Sequence, residues 1–171
     1  TAATAMQELS ALIVAIDADA DHERWKFTTD LDRAGYREFA MHALHHGLQF
    51  WLEADPQRPR WYRWFSPTKK LLGDNPDSVY YGTVVDPTRR YRIRGNLAGA
   101  CYTSFTVELG TEGGGMSRQL GATLNDDEFD VDPDGSYELI ASPDEPPTGP
   151  RNWLRLDEGA GSITTRHYFE W

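Results

Sequence analysis

The feature that most constrains this chain is a change of hydrophobic period at Asn75-Pro76-Asp77. Before it, apolar residues recur every three or four positions, which lays a stripe along a helix; after it they alternate, as in a half-buried strand. A segment that adopted the wrong period would turn its apolar set into water, so the chain divides into a helical beginning and a β remainder. The expectation is a mostly β fold with an N-terminal helical segment. A helical segment and aromatic connector occupy residues 1–72, and an antiparallel β-sandwich or jelly roll occupies residues 73–171.

Within the first part, Met6, Leu9, Leu12, Ile13 and Ile16 form the stripe of one amphipathic helix, and that stripe needs a partner surface. A second helix is capped by Thr29 or Asp30, carries Tyr36, Phe39, Ala40, Ala43, Gly47, Phe50, Trp51 and Ala54 on one broad face, and stops at Pro56. Residues 57–73 interleave Trp61, Tyr62, Trp64 and Phe65 with Arg58, Arg60, Arg63, Lys69 and Lys70. Aromatic bodies that plug helices onto a sheet while the basic groups stay wet account for this stretch.

The β part predicts strands at 79–85, 90–94, 100–109, 119–124, 137–141, 153–156 and 163–171. Turn signals separate them: Asp86-Pro87, Gly95-Asn96, Glu112-Gly113-Gly114-Gly115, Pro133-Asp134-Gly135, Pro146-Pro147 and Glu158-Gly159. Short connections favour antiparallel pairing, because parallel neighbours need a crossover. Residues 142–150, rich in proline, read as an irregular loop at a rim. The alternation runs to Trp171, which predicts an unpaired strand edge there, a processing or chain boundary inside a larger unit, and a second polypeptide or second copy covering Phe169 and Trp171.

Composition narrows the partners. With 17 Lys and Arg against 27 Asp and Glu, the formal charge of −10 repels phosphate backbones and anionic lipid surfaces, so neither nucleic acid nor membrane is expected. The single cysteine, Cys101, excludes an internal disulfide and favours a reducing, cytoplasmic setting. Residues 11–16, the longest aliphatic run, fall far short of the ~20 that span a bilayer.

Several residue groups could carry chemistry. His42 and His46, four apart on the second helix with Glu38 one turn earlier, share a face, but two ligands do not make a metal site and no metal or other cofactor is expected. Asp130, Asp132 and Asp134 with Gly135 match the opening of a calcium loop, yet its last ligand position holds Ala141; a turn with Asp-Gly at its bend explains the same residues. Arg90, Arg92 and Arg94 put three guanidinium groups along one side of a strand, where they could meet a carboxylate or phosphate or pair with acids across a solvated sheet face. Ser104, Thr106 and Tyr102 share one side of the longest strand and His167 the inner side of the last, but no nucleophile elbow accompanies them.

The run 74–81, Asp-Asn-Pro-Asp-Ser-Val-Tyr-Tyr, followed by Tyr91-Arg92-Ile93-Arg94-Gly95 and Ser104-Phe105-Thr106-Val107, resembles the bacterial family called domain of unknown function 1214, whose usual companion is domain 1254. Residues 132–139, Asn152-Trp153-Leu154 and the closing Arg166-His167-Tyr168-Phe169-Glu170-Trp171 extend the resemblance over about residues 73–171. It implies a two-sheet jelly-roll architecture, commonly in a longer chain, and brings no catalytic residues.

For function the sequence points to a non-catalytic small-molecule-binding or assembly domain, part of a larger protein or complex. The alternative is an enzyme whose pocket lies between the helices and the sheet. In either case the expected ligand-binding residues are His42, His46, Trp61, Tyr62, Trp64, Arg92 and Arg94, which join apolar bodies to polar tips.

Overall fold

A computed structural model describes residues 1–71, 73–110 and 117–170. The chain divides into two compact units, Thr1–His46 and Gly47–Trp171.

The first unit holds α1 (Ala2–Asp19) and most of α2 (Asp30–Leu48). The Thr1 hydroxyl caps α1, accepting the Thr4 N–H at 3.3 Å. A reciprocal capping box opens α2: the Thr29 hydroxyl accepts the Asp32 N–H at 3.1 Å, and the Asp32 carboxylate accepts the Thr29 N–H at 2.8 Å. Between the helices Trp25, Phe27 and Tyr36 gather with ring centroids 5.2–6.0 Å apart. Arg37 reaches Asp17 at 2.5 Å, Arg33 reaches Asp21 at 3.0 Å, and the Tyr36 hydroxyl donates to Asp19 at 2.9 Å. Hydrogen bonds from Arg24 and Trp25 hold the Asp19 carboxyl at about 2. Polar ties and one aromatic cluster therefore join these helices; no residue of α1 is buried, and Met6 and Leu12 of the expected stripe lie open.

The second unit is the β-sandwich. A five-stranded sheet runs β1 (Tyr62–Phe65), β2 (Ser78–Val84), β8 (Ala160–Tyr168), β4 (Tyr102–Leu109), β5 (Gln119–Asn125), every neighbouring pair antiparallel. A three-stranded sheet runs β3 (Tyr91–Asn96), β6 (Ser136–Ser142), β7 (Trp153–Arg155). The alternation read from the sequence decides which residues meet between them. Phe105 and Val107 of β4 and Ile163 of β8 bury against Ile93 of β3, Tyr137, Leu139 and Ala141 of β6 and Leu154 of β7. Phe105, Phe129 and Tyr137 pack edge to face with centroids 5.3–5.8 Å apart.

Four expectations are corrected. Tyr62–Phe65, read as connector, is a strand on the edge of the larger sheet. Gly95-Asn96, read as a turn, ends β3; Gly95 sits in the strand because the Tyr137 ring occupies the space a Cβ would need, and the turn follows at 97–100. Not all pairing is antiparallel: β6 and β7 run parallel, joined by the proline-rich loop instead of a helix. The last strand is no open edge, since β8 is paired on both sides, by β2 and β4, and Phe169 then donates its N–H to Asp77 at 3.1 Å. Trp171 and the Glu112-Gly113-Gly114-Gly115 turn lie outside the described residues. No described helix is long and apolar enough to cross a membrane.

Candidate functional site

The turn between β2 and β3 is built by Asp86-Pro87-Thr88-Arg89. The Asp86 carboxylate accepts the Thr88 N–H at 2.9 Å and its hydroxyl at 2.7 Å, and the Arg89 N–H closes on Asp86 O at 3.0 Å. This bend delivers Arg89 and Arg90 to the entry of β3, the outermost strand of its sheet, along which Arg92 and Arg94 alternate with the buried Ile93. Tyr91 pins the region. Its hydroxyl donates to Pro56 O at 3.0 Å and accepts the Asp86 N–H at 2.8 Å, and burial pushes its phenol above the ordinary range, so it stays a neutral hydroxyl.

Held by that pin, residues 56–61 and β3 form two sides of a cleft of about 610 Å³. Val85, Ile93 and Ile163 with Thr83 line its depth, while Trp61, Tyr91, Pro56 and Pro59 supply apolar wall. Its other lining residues are Gln57 and five arginines, Arg60, Arg89, Arg90, Arg92 and Arg94; no carboxylate is among them. Two of the cations are compensated from outside, Arg89 by Asp86 at 3.3 Å and Arg94 by Glu138 at 2.6 Å. Arg60, Arg90 and Arg92 form no ion pair among the described residues; Arg92 stands opposite Ile140 in the β3–β6 register. Three guanidinium groups without an ion pair among the described residues thus line one cleft of a chain whose net charge is −10. A unit charge ~4 Å from each gains about 1 kcal/mol in bulk water and about 4 at a half-screened surface.

On the other side of β3 lies a second hollow of about 750 Å³, lined by Arg90, Tyr91 and Arg92 again and by Asp130, Glu138 and Arg151. Arg151 pairs with Asp130 there, so this hollow carries both signs of charge.

The expected site residues separate. Trp61, Arg92 and Arg94 come together in the cleft. Tyr62 and Trp64 lie on β1, where Trp64 is buried over Gly82 with its ring 5.4 Å from Phe50, and neither lines the cleft. His42 and His46 are on α2. Among the described residues no group of three or more His, Cys, Asp or Glu is placed to hold a metal ion. Asp130 faces Arg151, Asp134 accepts the Ser136 N–H and hydroxyl at 2.9 and 2.6 Å, and Gly135 turns with φ 85°, so the acidic run is spent on the bend into β6. Ser104 and Thr106 belong to the outer face of the larger sheet. His167 belongs to its inner face, between the hydroxyls of Thr103 at 3.2 Å and Thr165 at 2.9 Å, so these residues form no triad. Cys101 is exposed, its thiol donating to Tyr168 O at 3.3 Å.

Sequence reasoning did not single out Arg60, Arg89 or Tyr91 as site residues. The Asp-Pro-Thr-Arg-Arg turn was the available signal for Arg89, since it places paired cations at a strand entry; nothing local brings Arg60 beside them.

The fold has a counterpart. The crystal structure of an uncharacterized protein from Burkholderia cenocepacia matches 96% of this chain with a TM-score of 0.72 at 25% sequence identity. The chain spans 47% of that protein's length. The VPA0106 protein from Vibrio parahaemolyticus aligns over 54% of this chain and 26% of its own, with a TM-score of 0.42 and 19% identity. No family model matches the chain, and no curated protein matches it.

Proposed function

We propose that the second unit is a non-catalytic binding domain for a small organic anion, held in the cleft between residues 56–61 and β3. The observation that carries this reading is the lining itself: five arginines, three of them without an ion pair among the described residues, and no carboxylate, in a chain of −10. Cations gathered in an acidic protein cost stability unless an anion completes them, and arginine's planar fork suits a carboxylate or phosphate. The size falls within the range of small-molecule sites, and Trp61 with Val85, Ile93 and Ile163 favours a ligand with an apolar or planar body beside its charge. Tyr91 is committed to Pro56 and Asp86, so it shapes the wall and is not a proton donor to a ligand.

The test is thermal unfolding at fixed ionic strength with benzoate and phenyl phosphate against the neutral benzyl alcohol, followed by mass analysis of the recovered compound. The reading expects a concentration-dependent rise in Tm for the two anions, little for the alcohol, and unaltered compound. Equal effects of anion and alcohol would refute the charge-based recognition, and chemical turnover would replace binding with catalysis.

A further inference from the structure

Charge and apolar surface are sorted by depth in the arginine cleft. Arg60, Arg90 and Arg92, which form no ion pair among the described residues, are all exposed, whereas Val85 and Ile93 beneath them are each 6% exposed. A bound molecule therefore keeps its oxyanions at the mouth and lays its carbon body inward.

These rim cations also stand on opposite walls. Arg60 belongs to residues 56–61, while Arg90 and Arg92 flank Tyr91 at the start of β3. The Tyr91 pin crosses between the walls, so at that point they are held apart by one phenol ring and a 3.0 Å hydrogen bond to Pro56 O. On the β3 wall the outer two arginines are already answered, Arg89 by Asp86 and Arg94 by Glu138, which confines the unpaired charge to the stretch beside the pin. A ligand with a single anionic head can answer one wall and leaves the other as it was. The hollow on the far side of β3 presents Arg90 and Arg92 as well, but Asp130 and Glu138 line it too, so an anion meets both signs there and the cleft is the more favourable side.

We infer that the ligand is a dianion with one oxyanion at each end of a planar, apolar body, of the aromatic para-dicarboxylate class; this rests on the reading of the cleft as an anion site. One carboxylate meets Arg60 and the opposite one meets Arg92, with Arg90 beside it. The ring lies between them against Trp61 and above Val85 and Ile93. Terephthalate is on the scale of the Tyr91 pin, a single benzene ring extended by polar groups.

The experiment is titration calorimetry of the full chain at neutral pH and fixed ionic strength with three probes. Terephthalate carries a charge at each end; its monomethyl ester keeps the shape and removes one charge; phthalate keeps both charges but sets them on neighbouring carbons. The proposal expects terephthalate to bind at least about tenfold more tightly than either of the others. Arg60→Gln should bring terephthalate to within about threefold of the ester, while the ester's own Kd changes by less than about twofold because the wall with two cations holds its carboxylate. Terephthalate that binds no tighter than the ester or than phthalate would overturn the inference and leave the anion cleft standing, since those probes still bind. So would an Arg60→Gln variant that weakens ester and terephthalate by the same factor. Absence of saturable binding for all three probes would remove the inference together with the reading of the cleft.

Discussion

Gly82 lies in the middle of β2, paired with Tyr62 of β1 on one side and Thr164 of β8 on the other, and the indole of Trp64 lies flat over it. A Cβ built there overlaps three ring atoms of Trp64, so Gly82→Ala forces something to move. The ring cannot swing freely: Trp64 is 6% exposed and packed on Phe50. Expelling it altogether would give up roughly 200 Å² of burial, or about 5 kcal/mol. Displacing the edge strand β1 is cheaper, in the overpacking range of about 1–3 kcal/mol. Removing a glycine from a strand returns about 0.5–1 kcal/mol, which does not cancel it. A net loss of about 1–2 kcal/mol is therefore expected, read as a lower urea midpoint in far-ultraviolet circular dichroism with an unchanged slope. In a Trp64→Leu background the obstacle is gone and the same substitution should cost less than about 0.5 kcal/mol, a coupling that a double-mutant cycle resolves. The reasoning fails if Gly82→Ala matches the wild type, or if it costs the same in both backgrounds.

Other expectations follow from the core and the cleft wall. Leu139→Ala empties a fully buried position of β6 and should cost about 2–5 kcal/mol in the same denaturation assay. Burial holds the His167 imidazole below its ordinary value of 6.5. The unfolded chain thus takes up a proton near pH 6.5 that the folded chain refuses; this contribution is intact above 6.5 and is lost as pH falls toward the depressed folded value. Urea midpoints at pH 7.5 and 5.5 should differ in that direction, and by less in His167→Gln. Tyr91→Phe deletes the hydroxyl that joins Pro56 to Asp86 and should cost about 1–3 kcal/mol while weakening phenyl phosphate binding, both measurable on one preparation.

Most strands were legible because one face of each is buried, and burial writes a period of two into the sequence: Tyr137, Leu139 and Ala141 point inward while Glu138 points out. The strand Tyr62–Phe65 was not, because its pairing with β2 is tertiary and its own composition of aromatic and basic residues has no clean alternation. The parallel pair of β6 and β7 hid for a related reason, since a loop crossover leaves no helical signature. At the cleft, Arg92 and Arg94 showed in the alternation of β3, and Trp61 in an aromatic stretch. Their meeting with Arg60 and Arg89 depends on the Tyr91 pin between residues 56 and 86, a contact spanning 35 positions that no local pattern encodes.

The central claim is that uncompensated arginines make the cleft an anion site, and the affinity of phenyl phosphate by titration calorimetry tests it most directly. Wild type and Arg60→Gln/Arg92→Gln should be compared at about 50 and 200 mM salt, a range over which the screening length changes appreciably. The account predicts saturable binding in the wild type, weakening as salt rises, and at least a tenfold larger Kd in the variant, equivalent to about 1.4 kcal/mol or more. No saturable heat in the wild type, or equal Kd values in the two proteins, would contradict it.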